Sequence, residues 1–133
     1  MVADKKTLRL LDANLNRARE GLRVVEDTAR FLWNDSGLYR RLRRLRHDLH
    51  RITAARYKDL LKSRNSEGDA GRKVKENSRA SVSSVVSANL RRAQEAVRVL
   101  EEYSKVFSPR AAAGFKKIRF QLYVEEKKLL KKL

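Results

Sequence analysis

The sequence has no cysteine, one proline, five glycines and two histidines in 133 residues. Without cysteine there can be no disulfide framework and no thiolate zinc site. Two histidines, His47 and His50, are too few for a histidine metal cluster. Scarce glycine and proline leave few helix breakers. Aromatic residues make up 7%, and none interleave with basic runs as base-stacking surfaces require. No apolar run approaches the roughly 20 residues of a membrane span. The first twenty residues have no apolar signal core, so the expected location is cytoplasmic. GxxxxGK[ST], HExxH and GxSxG are all absent, which excludes the phosphate loop, zincin and nucleophile-elbow signatures.

Acidic residues are also scarce: 16 Asp and Glu face 33 Lys and Arg, a formal charge of +17. A field of that size attracts phosphometabolites, nucleic acid or anionic lipid. The excess is concentrated in residues 38–64, where ten Lys or Arg meet only Asp48 and Asp59, and again in residues 116–133. A solvated helix face accounts for both runs without any ligand. Hydrophobic residues at 41% and charged residues at 37% suit a soluble, helix-rich chain with a core.

The hydrophobic spacing predicts an all-α four-helix bundle. Leu8, Leu11, Leu15, Ala18, Leu22, Val25, Ala29 and Leu32 recur at steps of three and four, the period of one helix face. Asn34-Asp35-Ser36-Gly37 ends that helix. Leu38, Leu42, Leu45, Leu49 and Ile52 mark a second helix reaching about Lys62. Residues 63–77 have no apolar seam and form a loop. A third helix from Ser78 carries Val82, Val86, Leu90, Ala93, Val97 and Leu100. Ser108-Pro109 opens a fourth, with Phe115, Ile118, Leu122 and Leu129. Short connections within two pairs suggest an up-and-down bundle in a single domain, 1–133.

The first and third helices repeat each other. Ala13–Phe31 and Ala88–Val106, offset by 75, are identical at nine of nineteen positions without a gap. The expected architecture is therefore two duplicated helical hairpins, 8–62 and 78–132, about a pseudo-twofold axis. The matches include polar residues: Asn14/Asn89, Arg17/Arg92, Glu20/Glu95, Arg23/Arg98 and Glu26/Glu101. Arg and Glu three apart give surface pairs of only about 0.2–0.5 kcal/mol, which constrain identity weakly. Asparagine is a poor helix-interior residue, so Asn14 and Asn89 beside the seam point either to a buried hydrogen bond or to a ligand contact. The loop Glu67-Gly68-Asp69-Ala70-Gly71-Arg72 admits an anion to its backbone N–H groups. Asp69 is a candidate Mg²⁺ ligand, and Arg64, Arg72 and Arg79 are candidate phosphate ligands. An ordinary polar connection explains the same letters.

The string Asp12-Ala13-Asn14-Leu15-Asn16-Arg17-Ala18-Arg19-Glu20-Gly21-Leu22-Arg23-Val24-Val25-Glu26-Asp27, with Ala29-Arg30-Phe31, resembles the opening of a small all-helical hydroxymethylpyrimidine phosphate kinase family. That domain is often fused in front of thiamine phosphate synthase. The resemblance continues through Leu45-Arg46-His47, Ser63-Arg64, Glu67–Gly71, Arg79 and the Ala88–Lys105 helix, nearly the whole chain. It implies ATP-dependent phosphorylation of hydroxymethylpyrimidine phosphate to the diphosphate in thiamin synthesis, with Mg²⁺ and ATP as co-substrate. The site expected on this basis has Asp69 as metal ligand and catalytic group, with Arg17 and Arg92 catalytic. Asn14, Asn89, Arg64, Arg79, Glu20, Glu95, Arg46 and His47 bind substrate. Asn65 replaces an expected Asp, and His47 faces away from its helix's seam. With no synthase barrel after residue 133, the resemblance implies a stand-alone form or an isolated domain. It also implies a functional link to thiamine phosphate synthase, and a homodimer stays open. A chorismate mutase-like helical enzyme, a basic nucleic-acid-binding module and an inactive synthase fragment are the competing readings.

Overall fold

The structure, a computed structural model, describes residues 3–133; Met1 and Val2 of the expected unit lie outside the described residues. It is all-helical among the described residues, with four long helices. Helix α1, Lys5–Asp27, starts at Asp4, whose side chain accepts from the Thr7 amide, and ends in a π-turn, Thr28–Leu32. Asn34 then adopts a left-handed conformation, φ 51°, which asparagine tolerates better than most side chains. Asp35 caps α2, Ser36–Thr53, by accepting from Leu38 N–H. Ser81 caps α4, Val82–Ser104, in a reciprocal box with Ser84. Ser108 and Pro109 open α5, Pro109–Lys128, as the letters predict.

Two boundaries differ from expectation. The second helix breaks after Thr53 into a tight turn, Ala54–Arg56, and a short helix α3, Tyr57–Ser63. The Thr53 hydroxyl bonds back to the carbonyls of Leu49 and His50, a device that bends helices. The third helix starts at Val82 rather than Ser78, because Ser81 captures the Ser84 amide there. The connecting loop therefore spans residues 64–81, longer than the expected 63–77.

The core is a continuous cluster of buried leucine, valine, alanine, isoleucine and phenylalanine. All of the first seam from Leu11 to Ala29 is buried, and Leu8 packs on its edge. Helix α1 packs against α2, α3 and α4, while α5 packs against α4 and α2. The centre is the α1–α4 contact, where Gly21 lies against Ala93 and the Asn89 backbone. A Cβ placed on Gly21 would lie 2.8 Å from the Asn89 carbonyl oxygen, so the two backbones nearly touch there. Gly21 meets Asn89, and Asn14 meets Ala96, so the two helices run antiparallel. The order is therefore up-down, then a crossover through residues 64–81, then down-up. This corrects the simple up-and-down expectation: the loop expected between the pairs, observed as 64–81, returns the chain along the bundle.

The two hairpins carry the same buried ion pair. Glu26 accepts from Arg46 through Nε and Nη2, and Glu101 accepts from Arg119 through the same two nitrogens. Both carboxylates are at most 4% exposed. No described helix is long and apolar enough to cross a membrane.

Candidate functional site

The outer face of α1 and the start of the 64–81 loop enclose an open cleft of about 640 Å³. Sequence periodicity explains half of it. The buried stripe of α1 turns toward α4, so the next face round, with Arg9, Asn16, Arg17 and Glu20, is left at the cleft. The other half depends on one long-range contact. Asp12 is buried on α1, and both its oxygens accept from Arg64, Nε at 2.8 Å and Nη2 at 2.9 Å. Arg9 donates to the Asn65 carbonyl at 3.1 Å. Together they hold the beginning of the loop against α1. The hydrogen bonds from Arg64 to Asp12 outweigh desolvation and raise the arginine's pKa, so it stays protonated.

Four cationic side chains, Lys6, Arg9, Arg17 and Arg64, line this cleft with Asp12, Asn14, Glu20 and Asp69. Asp12 is matched by Arg64, so the cleft carries excess positive charge. Asp69 lies in a turn in which its Oδ1 accepts from Gly71 N–H at 2.8 Å, leaving Oδ2 without a partner among the described residues. Asn14 is buried: its amide donates to the Leu10 carbonyl at 3.0 Å, and its Oδ1 lies 3.4 Å from Arg17 Nη1. Its backbone bond satisfies one donor, and its oxygen orients Arg17.

A second cavity of about 330 Å³ adjoins the first and shares Asn14 and Arg17 with it. Arg92, Glu95, Ala96 and Val99 of α4 complete it. The structure thus brings Asn14, Arg17, Glu20, Arg64 and Asp69 to one cleft, and Arg92 and Glu95 to its neighbour. Asn89 lines neither: its amide donates to the Val85 carbonyl at 2.8 Å, and its backbone packs on Gly21. Arg79 is exposed and donates to the Asn77 carbonyl, outside both cavities. Arg46 is on the far side of Glu20, paired to Glu26, whose hydrogen bonds raise its pKa. His47 is exposed on the outer face of α2.

Asp12 is the residue that sequence reasoning left off the site. A charged residue on the seam's border was the available signal, but its partner stands 52 positions away. Among the described residues no three His, Cys, Asp or Glu side chains converge as a metal-binding group. A single carboxylate with phosphate oxygens and water is nonetheless a normal Mg²⁺ environment, so the free Asp69 oxygen fits that role.

The ThiD2 family model matches residues 9–128, which include every residue of the cleft except Lys6. The chain belongs to the ThiD2 family. Curated relatives of this ThiD2 chain include proteins named thiamine-phosphate synthase. The one from Nostoc punctiforme is 43% identical over 125 residues, covering 92% of this chain and 35% of the relative. That from Rhodopirellula baltica is 45% identical over 133 residues, covering 96% and 35%. That from a Synechococcus strain is 46% identical over 120 residues, covering 90% and 34%. This ThiD2 chain thus spans about a third of the length of the relatives it matches. No solved structure matches it significantly.

Proposed function

We propose that the chain is an ATP-dependent phosphotransferase of thiamin biosynthesis that converts hydroxymethylpyrimidine phosphate to its diphosphate. The observation that carries this is the cationic cleft in which Arg17, Arg64 and Asp69 come together under the loop. The relatives' name, thiamine-phosphate synthase, supports the pathway. In the reaction a phosphate oxygen of the substrate attacks the γ-phosphorus, the bond to the β-phosphate oxygen breaks, and ADP leaves. Such transfer requires positioning and charge neutralisation more than covalent chemistry. Arg17 offers a fork to phosphate oxygens, Arg64 offers the nitrogen left free by its pair with Asp12, and Arg92 supplies charge from the adjoining cavity. Asp69 would hold Mg²⁺, which would supply positive charge against the phosphate groups. The Asn14 oxygen fixes Arg17, and the amide is the candidate contact to the aminopyrimidine.

The same proposal includes an internal duplication with approximate twofold symmetry in a single domain. The matched pairs Glu26–Arg46 and Glu101–Arg119 support it, as do the matched amide bonds of Asn14 and Asn89. The test is incubation with ATP, Mg²⁺ and hydroxymethylpyrimidine phosphate, with the products resolved by phosphorus NMR. Appearance of the diphosphate with ADP in equal amounts is the expected result. No diphosphate with any nucleotide or metal would sink the proposal.

A further inference from the structure

At one end of the bundle, separated from the cleft by the first turns of α1, lies a small cavity of about 150 Å³ with mainly apolar walls. Every helix contributes to it: Leu11 from α1, Ile52 from α2, Leu60 from α3, Leu100 from α4 and Phe115 from α5. The packing beside it is tight. A Cβ on Gly114 would come within 2.9 Å of Ile52 Cδ1, so α2 and α5 touch there and the void is not general looseness. The polar side chains on its wall are largely engaged. The Thr53 hydroxyl donates to the Leu49 and His50 carbonyls, and the Ser108 hydroxyl accepts from the Ala111 amide. The Arg56 guanidinium lies 3.7 Å from Asp59, rests over the Phe107 ring and reaches solvent. That leaves the Ser104 hydroxyl.

We infer that this cavity binds a small apolar ring, and that its occupancy holds Arg64 in place at the cleft. The wall sets the ligand class. A void of about this size lined by leucine, isoleucine and phenylalanine takes up a molecule as large as benzene, because water gains few hydrogen bonds inside it. With one hydroxyl uncommitted, the site satisfies at most one polar atom on the ring. The effect on the cleft follows from α3. That helix is seven residues long, buries only Leu60 and Ser63, and packs mainly on α1. Its C-cap is Arg64, which grips Asp12 from the end of α3. Leu60 is thus both the main apolar anchor of α3 and part of the cavity wall. A ring seated there gives Leu60 contacts shared with α2, α4 and α5, so opening of α3 must first expel it.

The inference goes beyond the kinase proposal and stands apart from it, because it is tested with benzene alone, without nucleotide or metal. Methyl signals of the labelled full chain are followed by NMR as benzene is added. Those of Ile52, Leu60 and Leu100 are expected to shift saturably. Ala111 also borders the cavity, and Ala111→Leu, which fills it, should weaken this binding about tenfold or more. At ten times the dissociation constant, hydrogen exchange at the α3 amides and at Arg64 Nε should slow about tenfold, while that of α4 changes less. No saturable shift at the three methyl groups would overturn the inference, and the wild-type titration decides this whether or not Ala111→Leu folds. Shifts confined to the exposed rings of Phe31 and Phe120 would overturn it as surface adsorption. Binding indifferent to a folded Ala111→Leu variant would do the same. Saturated benzene with unchanged exchange at Arg64 would overturn the link to the cleft.

Discussion

Replacing Asp12 with alanine should loosen the floor of the cleft before it affects the bundle. Asp12 is buried, and each of its oxygens accepts one hydrogen bond from Arg64. Breaking a buried ion pair by removing one partner typically costs about 3–5 kcal/mol. Here the partner left behind is a third exposed, 34%, and can turn to water. That screening reduces the expected loss to about 2–3 kcal/mol. Arg64→Ala should cost more, because it strands the carboxylate inside, where water does not reach it. For a domain of this size, 1 kcal/mol corresponds to about 3–5 °C in melting temperature, so Asp12→Ala should melt roughly 6–15 °C lower. The more specific assay is native-state hydrogen exchange. Amides of Gly68 and Gly71, held only by loop side chains, should exchange faster in Asp12→Ala, while those of α4 should fall only by the global loss. A double-mutant cycle isolates the pair term, expected to be at least 1 kcal/mol. Unchanged loop exchange together with a melting shift under about 2 °C would refute the anchoring role.

Gly21→Ala tests the close helix contact. In an open helix the change would stabilise by about 1 kcal/mol, but here the new Cβ meets the Asn89 carbonyl oxygen at 2.8 Å, so urea denaturation should register a loss of about 1–3 kcal/mol. For Glu101, burial pushes the pKa up, but hydrogen bonds and charge from Arg119 and Arg98 outweigh this, and it lies below the ordinary 4.5. Its stabilisation is therefore full above about pH 4.5 and is lost as pH falls through the lowered folded value. Glu101→Gln should flatten that acid limb in pH-dependent melts, and an unaltered limb would contradict the assignment. Asp69→Asn should reduce phosphoryl transfer by at least tenfold with unchanged far-ultraviolet circular dichroism; full activity would remove Asp69 as the metal ligand. Asn14→Ala should weaken substrate binding more than it lowers the melting temperature, whereas equal losses would make Asn14 purely structural.

How much of the site was legible depended on sequence distance. The α1 residues Asn14, Arg17 and Glu20 were legible because one helix face follows from spacing of three and four, and all three line the cleft. Arg64 and Asp69 were accessible through the loop's glycines and charges, and they meet α1 residues there. Asn89 was expected beside Asn14 because its position matches, but matched positions on antiparallel helices end up displaced along the contact. Each asparagine faces the other helix's Gly21 or Ala96 instead. Arg79 followed the loop away from the cleft, since nothing within its own stretch of sequence ties it back.

The amino-acid sequence by itself determined the four long helices, their buried faces and most of their ends. Those depend on interactions within a few residues: the apolar period, the side chains of Asp4, Asp35, Ser81 and Ser108 on nearby amides, and proline at the first turn of α5. Only the tertiary structure decided which buried faces meet, and in what direction. Four apolar stripes can pair in several ways of similar hydrophobic area. The choice came from non-local fits that no window of sequence contains: Gly21 against the Asn89 backbone, Asp12 against Arg64, and a loop long enough to return along the bundle. Those same fits put Arg64 and Asp69 beside Arg17 and so created the cleft.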